Sequence, residues 1–310
     1  MPIEGLYTAL ITPFDENGTL NLPGLQTLIE YQIQGQVDGI TLLGTTGESP
    51  TIEKTERIEI IRTAVIAADK RIPVMVGCGT YCTKTTIAQA IEAEQLGASS
   101  LLIVVPYYNR PTQEGLYQHF KEVTEAVSLP ICVYNIASRT GQNLEISTLE
   151  RLSELPGITA IKEASGNIVQ MMDVIERIVL KKEFFRILSG DDILTLALSA
   201  LGGHGVISVL SNLIPRTIKE LLISTQVDIE KARALHYSIK PLIQAAFIET
   251  NPIPIKYMMQ LAGLPAGPTR LPLSNLTAVN QQKLQEIITQ YQQLIKNNIL
   301  TCKEIPILAK

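Results

Sequence analysis

One lysine in this chain has a sequence context that suits covalent chemistry. Lys162 ends a short apolar run, Gly157-Ile-Thr-Ala-Ile-Lys162, which is typical of a buried strand. A lysine at such a strand end loses much of its hydration, and burial favours the neutral amine. A neutral amine can add to a carbonyl carbon and form a Schiff base. The alternative is structural, with the ammonium extending to solvent or pairing with Glu163.

Three further segments carry groups that could assist such an amine. The Gly44-Thr45-Thr46-Gly47 turn can direct backbone N–H groups and two hydroxyls at a carboxylate, or it is a plain turn with capping threonines. Tyr134 could serve as a proton carrier, although a buried tyrosine usually packs and finds one hydrogen-bond partner. Arg139 could bind a carboxylate through two hydrogen bonds, or be solvated or ion-paired.

Potential metal ligands do not form a metal-site pattern. Asp191 and Asp192 are adjacent, but no histidine or further carboxylate accompanies them, so we expect helix N-capping. Cys78 and Cys82 lack a second pair or a nearby histidine. We predict no metal and expect all four cysteines to be reduced cytosolic thiols.

Length and charge narrow the class of protein. A chain of 310 residues suits one large domain or a barrel with an added subdomain. The net charge of −4 gives no electrostatic case for nucleic-acid binding. No apolar stretch approaches the roughly 20 residues that span a bilayer, and no signal peptide is evident. We expect a cytoplasmic protein that binds neither nucleic acid nor membrane.

Eight short apolar runs alternate with longer amphipathic segments in the first two thirds of the chain. The predicted strands are 6–11, 39–43, 73–76, 101–105, 131–134, 158–162, 185–188 and 205–209. The predicted helices between them are 22–34, 55–68, 85–96, 115–126, 147–155 and 193–201. This alternation predicts an α/β fold, a (β/α)8 TIM barrel. A doubly wound sheet would need a glycine-rich loop after the first strand, where Thr12-Pro-Phe-Asp15 stands instead.

The strand signal stops after residue 212. Helical periodicity follows at 216–225, 229–246 and 281–296, and five prolines between residues 252 and 272 break the interval before the last helix. We predict a catalytic barrel domain over 1–212 and a C-terminal helical subdomain over 213–310. The stretch 297–310 has no clear periodicity and is predicted to be a loose tail.

The strand ends collect the candidate groups. In (β/α)8 barrels the active site lies at the carboxyl ends of the strands. The predicted ends of strands 2, 4, 5, 6, 7 and 8 deliver, in that order, Thr45 and Thr46, Tyr107 and Tyr108, Tyr134 with Arg139 beyond it, Lys162, Gly190 and Ile207. An amine, phenols, hydroxyls, an anion-binding turn and a guanidinium are thus expected at one barrel mouth.

These segments resemble the dihydrodipicolinate synthase family of pyruvate-dependent class I aldolases. The resemblance extends from about residue 4 to about residue 290. Its most specific stretches are residues 44–49, 106–120, 134–135 with 138–141, 161–164, 188–192, 202–208 and 251–254. The resemblance implies condensation of pyruvate with L-aspartate 4-semialdehyde to 4-hydroxy-tetrahydrodipicolinate. That lyase reaction is the committing step of diaminopimelate and lysine biosynthesis.

The resemblance also assigns catalytic roles. It implies that Lys162 forms the imine with pyruvate, with no other cofactor, and that Tyr134 shuttles protons. Thr46 would contact pyruvate and exchange protons with Tyr134, and Thr45 would link this relay to Tyr108. In the family the tyrosine at the position of Tyr108 reaches across a dimer interface into the neighbouring site. The implied partner is therefore a second copy of the chain, in at least a dimer and by family habit a tetramer.

Three residues are expected to bind substrate around that relay. The resemblance implies that Arg139 holds the carboxylate of the semialdehyde and that Gly190 and Ile207 bind substrate in the pocket. N-acetylneuraminate lyase and the 2-keto-3-deoxy-sugar-acid aldolases are alternatives with the same fold and Schiff-base chemistry. Arg139 discriminates against them, because a neutral sugar chain needs no cation there. A noncatalytic pyruvate-binding homologue would be suspected only if Lys162, Tyr134 or Arg139 were replaced.

The lysine-regulation site of the family is altered in this sequence. Lysine-inhibited members use a glutamate, an asparagine and histidines near the loops after strands 2 and 3. The corresponding positions here are Ser49, Lys54, Arg57, Tyr81, Thr85 and Tyr107. Thr85 replaces the glutamate, Tyr81 replaces the asparagine, and Lys54 and Arg57 stand in place of the histidines. Loss of an anion and gain of cations should weaken binding of a cationic ligand, so we predict weak or absent lysine feedback.

Overall fold

Eight parallel strands close into a barrel in the computed structural model, which describes residues 2–300. The strands are β1 (Gly5–Ala9), β2 (Gly39–Leu42), β3 (Val74–Gly77), β4 (Ser100–Val104), β5 (Ile131–Asn135), β6 (Ile158–Glu163), β7 (Arg186–Ser189) and β8 (Gly205–Ser208). Each strand pairs with the next, and β1 pairs with β8 to close the sheet. The predicted (β/α)8 barrel is confirmed, and each of the eight apolar runs contains most of a strand.

Helices cover the outer face of the barrel. They are α1 (Leu22–Gln34), α2 (Lys54–Ala68), α3 (Thr83–Gln95), α4 (Gln113–Ala126), α5 (Ala137–Thr140), α6 (Ile146–Leu152), α7 (Ile168–Arg177), α8 (Thr195–Ala200) and α9 (Pro215–Val227). Side-chain caps begin several of them: Asn21 Oδ1 accepts from Gly24 N at 2.8 Å, and Thr112 Oγ1 accepts from Gly115 N at 3.2 Å. α7 is a helix that the predicted set lacks.

The strands are buried because helices surround the barrel. Strands covered by helices outside and by side chains inside are apolar on both faces, and all five residues of β5 are buried. Inward-facing side chains form a separate cluster within the barrel that includes Tyr7, Met75, Leu102 and Tyr134. The barrel is therefore a packed core that opens only at its ends.

The C-terminal part is helical, as predicted, but its elements differ from the prediction. They are α10 (Ile229–Ala245), α11 (Ile253–Leu261), α12 (Ala278–Gln290) and α13 (Gln292–Leu300). The expectation that prolines break the whole interval before the last helix was wrong, because Pro252 and Pro254 lie at the start of α11, where a helix tolerates proline. The single helix predicted over 281–296 is two helices that meet at Tyr291.

Two further expectations concern the ends of this region. The predicted tail begins at residue 297, but 297–300 belong to α13, and 301–310 lie outside the described residues. α9 contacts barrel strand β1 and also α10, so it touches both predicted domains, and the boundary at residue 212 stays a prediction. Between residues 2 and 300, none of the helices combines the length and apolar character needed to cross a membrane.

Candidate active site

Tyr134 and Lys162 are neighbours at the carboxyl end of the barrel. The register of β5 and β6 sets them side by side, and paired residues of parallel strands point to the same face. Lys162 Nζ lies 4.2 Å from the centroid of the Tyr134 ring, within cation–π range. Each residue is only 5% exposed. The two residues expected to carry the covalent chemistry are therefore in contact.

The Lys162 amine is not held by an acid. In the part of the chain that the structure describes, Lys162 Nζ makes no ion pair and no hydrogen bond. Glu163, the partner in the structural alternative, is fully buried, and strand alternation turns it to the other face of β6. Its carboxylate accepts hydrogen bonds from Asn135 Nδ2 at 3.0 Å, Gln170 Nε2 at 3.1 Å and Ser165 N at 2.7 Å. A pairing of Lys162 with Glu163 is thus not formed.

Gly190, directly after β7, lies against the Lys162 side chain. A Cβ atom at this position would come within 3.0 Å of Lys162 Cε and 2.6 Å of Ala164 Cβ. These separations are shorter than the optimal distance between non-bonded carbons, about 3.5–4.0 Å. The glycine therefore leaves the space that the Lys162 side chain occupies.

A small cavity of about 50 Å³ brings most of the predicted site together. Its lining includes Thr45, Thr46, Tyr134, Arg139, Lys162 and Gly190. It adjoins a larger cavity of about 690 Å³, because Thr45, Tyr134, Arg139 and Asn251 line both. The arrangement combines an enclosed amine with a wider entrance, which suits a small carbonyl compound that becomes bound to the amine.

The two threonines differ in their contacts. Thr46 is buried, and its hydroxyl accepts a hydrogen bond from Asn251 Nδ2 at 2.9 Å. Thr45 lines both cavities. Across residues 2–300, no hydrogen bond joins Tyr134 to either threonine, so the three hydroxyl groups share a cavity without forming a bonded chain.

Asn251 is a site residue that the sequence interpretation did not select. It follows α10, is 5% exposed and lines both cavities. Its backbone carbonyl accepts from Arg139 Nη2 at 3.4 Å. Its sequence signal was the Asn-Pro-Ile-Pro segment, which contributed to the resemblance but carries no reactive group.

Arg139 extends from α5, the single helical turn directly after β5. The residue is exposed and lines both cavities. Its guanidinium donates a long hydrogen bond, 3.4 Å, to the Asn251 carbonyl and forms no ion pair with a described residue. The guanidinium is therefore placed at the entrance with donors available for a carboxylate.

Two expected residues, Tyr108 and Ile207, line neither cavity. Tyr108 is 90% exposed, has a φ of +68° and lines neither cavity. Its neighbour Tyr107 lines the larger cavity and packs edge-on against Tyr81, with 5.5 Å between ring centroids. Ile207 is buried in the same inward-facing cluster as Tyr134, and Val209 lines the small cavity instead.

The adjacent aspartates have different roles. Asp191 Oδ1 accepts from Ile193 N at 3.2 Å, which is the expected cap. Asp192 does not cap a helix: its carboxylate accepts from Ser208 Oγ at 2.5 Å and from Val209 N at 2.9 Å, and so fixes the end of β8. Burial raises the pKa of both aspartates. Among residues 2–300, no group of three or more potential ligands is placed to hold a metal.

Only four of the six positions that correspond to the lysine-regulation site of the family line the larger cavity. Ser49, Tyr81, Thr85 and Tyr107 line the larger cavity, whereas Lys54 and Arg57 do not. Arg57 is buried, with its Nε 3.5 Å from Glu92 Oε1 and its Nη2 3.2 Å from Cys78 Sγ. The charge of Arg57 is therefore compensated within the chain rather than directed at the cavity.

Sequence comparisons identify a protein family and close relatives that match nearly the whole chain. The model of the dihydrodipicolinate synthetase family matches residues 2–291. A 4-hydroxy-tetrahydrodipicolinate synthase of Protochlamydia amoebophila is 51% identical over 294 residues, which is 94% of this chain and 98% of the relative.

Solved structures give the same result. The dihydrodipicolinate synthase of Aquifex aeolicus is 42% identical, with a TM-score of 0.90 over 94% of this chain and 98% of its own. The enzyme of Thermotoga maritima is 39% identical, with a TM-score of 0.92 over 94% of this chain and 99% of its own. These proteins therefore share the fold of this chain over nearly their full length and are similar to it in sequence.

Proposed function

Because the chain belongs to the dihydrodipicolinate synthetase family, we propose that it condenses pyruvate with L-aspartate 4-semialdehyde to 4-hydroxy-tetrahydrodipicolinate. This is a lyase reaction of diaminopimelate and lysine biosynthesis, which we place in the cytoplasm. One observation carries the proposal: a buried lysine, without an ionic partner among residues 2–300, contacts a tyrosine at a cavity that an arginine also lines.

The first half of the reaction forms the nucleophile. The Lys162 amine attacks C2 of pyruvate, the carbinolamine loses water, and a protonated imine results. The imine withdraws electrons from the adjacent methyl group, so loss of a methyl proton gives an enamine. Tyr134 is the proton carrier in these steps, because its side chain is the phenol in contact with Lys162. No cofactor beyond this covalent imine is required.

The second half forms the new bond and releases the enzyme. The enamine carbon attacks the aldehyde carbon of the semialdehyde, whose oxygen takes up a proton. The amino group of the same substrate then displaces Lys162 from the imine carbon, which closes the ring and restores the free amine. Arg139 holds the carboxylate of the semialdehyde at the entrance, where its guanidinium donors are available.

The proton relay includes the two threonines and a second copy of the chain. Thr46 exchanges protons with Tyr134, and Thr45 connects this pair to Tyr108 of a neighbouring copy. The 90% exposure of Tyr108 and its absence from the cavity lining support a role outside its own barrel. The active form is thus at least a dimer, and by family habit a tetramer of two dimers.

The sugar-acid aldolases are the second candidate, with the same amine and tyrosine. Arg139 at the cavity favours the synthase, because a cation there matches a carboxylate and not a neutral sugar chain. A noncatalytic pyruvate-binding role is disfavoured by the simultaneous presence of Lys162, Tyr134 and Arg139 at one cavity.

Turnover of pyruvate with L-aspartate 4-semialdehyde, coupled to a reductase that consumes the product, tests this function. Wild-type protein should turn over, and Lys162→Ala should lower kcat by at least about 10³-fold, because the covalent route is lost. Lys219→Ala, a lysine change at the opposite end of the barrel, should keep the wild-type rate. Absence of turnover by the wild type, together with cleavage of a 2-keto-3-deoxy sugar acid, would overturn the synthase assignment in favour of the aldolase.

A further inference from the structure

The loop between β2 and α2 is held by residues from the C-terminal helices. This loop, residues 43–51, carries Thr45 and Thr46. It is contacted by Asn251, which precedes α11, by Lys256 within α11, and by Arg270 beyond it. The contacts join positions more than 200 residues apart, which only tertiary folding brings together.

The strongest contact is a buried ion pair. Lys256 Nζ lies 2.7 Å from Glu48 Oε1, and the two side chains are 2% and 0% exposed. Lys256 also donates to the backbone carbonyls of Thr12 at 3.0 Å and Pro268 at 2.7 Å, so all three of its N–H groups have acceptors. The second carboxylate oxygen of Glu48 accepts from Arg270 N at 2.9 Å. Both members of the ion pair thus have further hydrogen-bond partners, which fix the positions of the two side chains.

Stability alone is a weak reason for such a pair. Removing two charges from water costs about as much as their attraction returns, and a well-packed neutral pair of similar volume is often equally stable. Burial lowers the pKa of Lys256 to about 8, which reflects that cost, while Glu48 opposes the shift. What the charged pair does supply is a defined location for Glu48.

The location of Glu48 determines the backbone next to the threonines. Glu48 has a φ of +55°, a left-handed conformation that is unfavourable for a residue with a side chain. In this conformation its N–H donates to the Thr45 carbonyl at 3.1 Å. The preceding Gly47 carbonyl accepts from Thr12 Oγ1 at 2.7 Å, and Thr12 itself contacts Lys256. Lys256 therefore restrains the loop through Glu48 and through Thr12.

Asn251 restrains the same loop at the neighbouring hydroxyl. Its Nδ2 donates to Thr46 Oγ1 at 2.9 Å. An amide NH2 group can only donate, so the Thr46 hydroxyl accepts in this bond and keeps its own proton for a different partner. The Asn251 side chain thus holds the position of the hydroxyl and leaves its proton available for transfer.

We propose that Glu48, Lys256 and Asn251 are positioning residues for the Thr45 and Thr46 hydroxyls. The C-terminal helices, which contribute no strand to the barrel, hold the loop through these contacts in the geometry that proton transfer at Lys162 requires. The inference rests on the proposed function, because it assigns the two hydroxyls to a proton relay.

A neutral replacement of the ion pair separates positioning from stability. The single change Lys256→Met leaves Glu48 buried without a cation and is expected to lower Tm. The double variant Glu48→Gln/Lys256→Met removes the unpaired charge at similar volume and should regain part of the lost Tm, although the carbonyls of Thr12 and Pro268 lose a donor. Its kcat should nevertheless stay about 10- to 100-fold low, because a small displacement of a catalytic group has effects of this size. The change in KM for either substrate should be much smaller.

The control is a second lysine–carboxylate pair far from the site. Lys219 Nζ lies 2.6 Å from the carboxylate of Asp38, just before the amino end of β2. The double variant Lys219→Met/Asp38→Asn should keep the wild-type kcat. If Glu48→Gln/Lys256→Met recovers kcat together with Tm, the ion pair only stabilises the fold, and its positioning role is refuted.

Asn251→Asp tests the direction of the second contact. The ionised carboxylate has the size of the amide but can only accept, so the Thr46 hydroxyl would have to donate to it. We expect kcat to fall about 10-fold or more, with the KM for pyruvate little changed. A wild-type kcat in Asn251→Asp would refute the role of Asn251.

Borohydride trapping of pyruvate distinguishes a failure of the positioning proposal from a failure of the proposed function. Lys162 lies on β6 and forms no hydrogen bond or ion pair with Glu48, Lys256 or Asn251, although Asn251 lines the same small cavity. Borohydride should therefore still trap pyruvate on Lys162 in both variants at saturating pyruvate. Loss of trapping would mean that the substitutions disturb the nucleophile itself, and would overturn the assignment to the threonines. Lack of aspartate-semialdehyde turnover in the wild type would refute the proposed function instead.

Discussion

Lys162 and Lys256 are both buried lysines, yet their surroundings differ. Each side-chain nitrogen lies over an aromatic ring, 4.2 Å from the centroid of Tyr134 for Lys162 and 4.3 Å from that of Phe14 for Lys256. Lys256 lies in the C-terminal helices and donates to Glu48 and to two backbone carbonyls. Lys162 lies at the barrel mouth and, within the described residues, donates to no other group.

From this difference we infer that burial and an aromatic neighbour are not by themselves sufficient to make a lysine nucleophilic. An amine attacks through its lone pair, which must be unprotonated and must face a space that a carbonyl compound can enter. The carboxylate beside Lys256 favours its charged form, and its three acceptors leave no approach. Lys162 lines a cavity and has no acid partner among residues 2–300, so its position suits the attack.

Tyr134→Phe sharpens this comparison and should give the largest effect of the remaining changes. The variant keeps the aromatic ring over Lys162 and removes only the hydroxyl, so the stability of the fold should change little. We expect kcat to fall by about 10²- to 10⁴-fold, the usual range for loss of general acid–base catalysis. Steady-state kinetics with both substrates measures this effect.

Tyr257→Phe is the matched control. Its hydroxyl accepts from Gln285 Nε2 at 2.9 Å within the C-terminal helices. This variant should keep the wild-type kcat. A similar kcat for Tyr134→Phe and the wild type would show that the ring, rather than the hydroxyl, is what Lys162 needs.

Arg139→Ala should have an intermediate effect that is restricted to the second substrate. A hydrogen-bonded charge pair contributes about 1.5–3 kcal/mol, so kcat/KM for L-aspartate 4-semialdehyde should fall about 10- to 100-fold. Borohydride trapping of pyruvate should be unchanged, because Arg139 contacts neither Lys162 nor Tyr134 by a hydrogen bond. An unchanged kcat/KM for the semialdehyde would remove Arg139 from substrate binding.

L-Lysine should have the smallest effect on the wild-type enzyme. Glu48 is the one carboxylate that lines the larger cavity within residues 2–300, and Lys256 already neutralises it. No other carboxylate of the described residues lines that cavity to pair with the amino groups of lysine. Calorimetric titration should therefore detect weak binding or none.

Thr85→Glu offers the complementary variant. Thr85 lines the same cavity, so the change adds an unpaired carboxylate there, and lysine binding should become tighter. Strong inhibition of the wild type by sub-millimolar lysine would contradict the prediction.

The sequence predicted the barrel well because each strand is a local apolar run with its own turns. It also predicted that Lys162, Tyr134 and the threonine loop lie together, since they stand at or directly after the carboxyl ends of strands that the barrel geometry brings together; their catalytic roles stay a prediction. The helix α11 was missed because Pro252 and Pro254 were interpreted as breaks, although proline is tolerated in the first turn of a helix. α7 was missed although its buried Met171, Val174 and Ile175 follow helical spacing.

The contacts of the C-terminal helices could not be predicted from local patterns. Glu48 and Lys256 are 208 positions apart, and neither carries a periodic signal that points to the other. Asp192 was expected to cap a helix, but its carboxylate accepts a hydrogen bond from Val209 N, directly after β8. This contact forms because the barrel places β7 and β8 side by side. Such pairings depend on the three-dimensional path of the chain.

We propose above all that Lys162, and not Lys256, is the nucleophile. The most direct measurement is borohydride reduction in the presence of isotopically labelled pyruvate, followed by proteolysis and mass spectrometry of the peptides. We expect Lys162 to be the one labelled lysine and the peptide that contains Lys256 to be unmodified. Label on Lys256, or the absence of label on Lys162 in an enzyme that turns over, would contradict it.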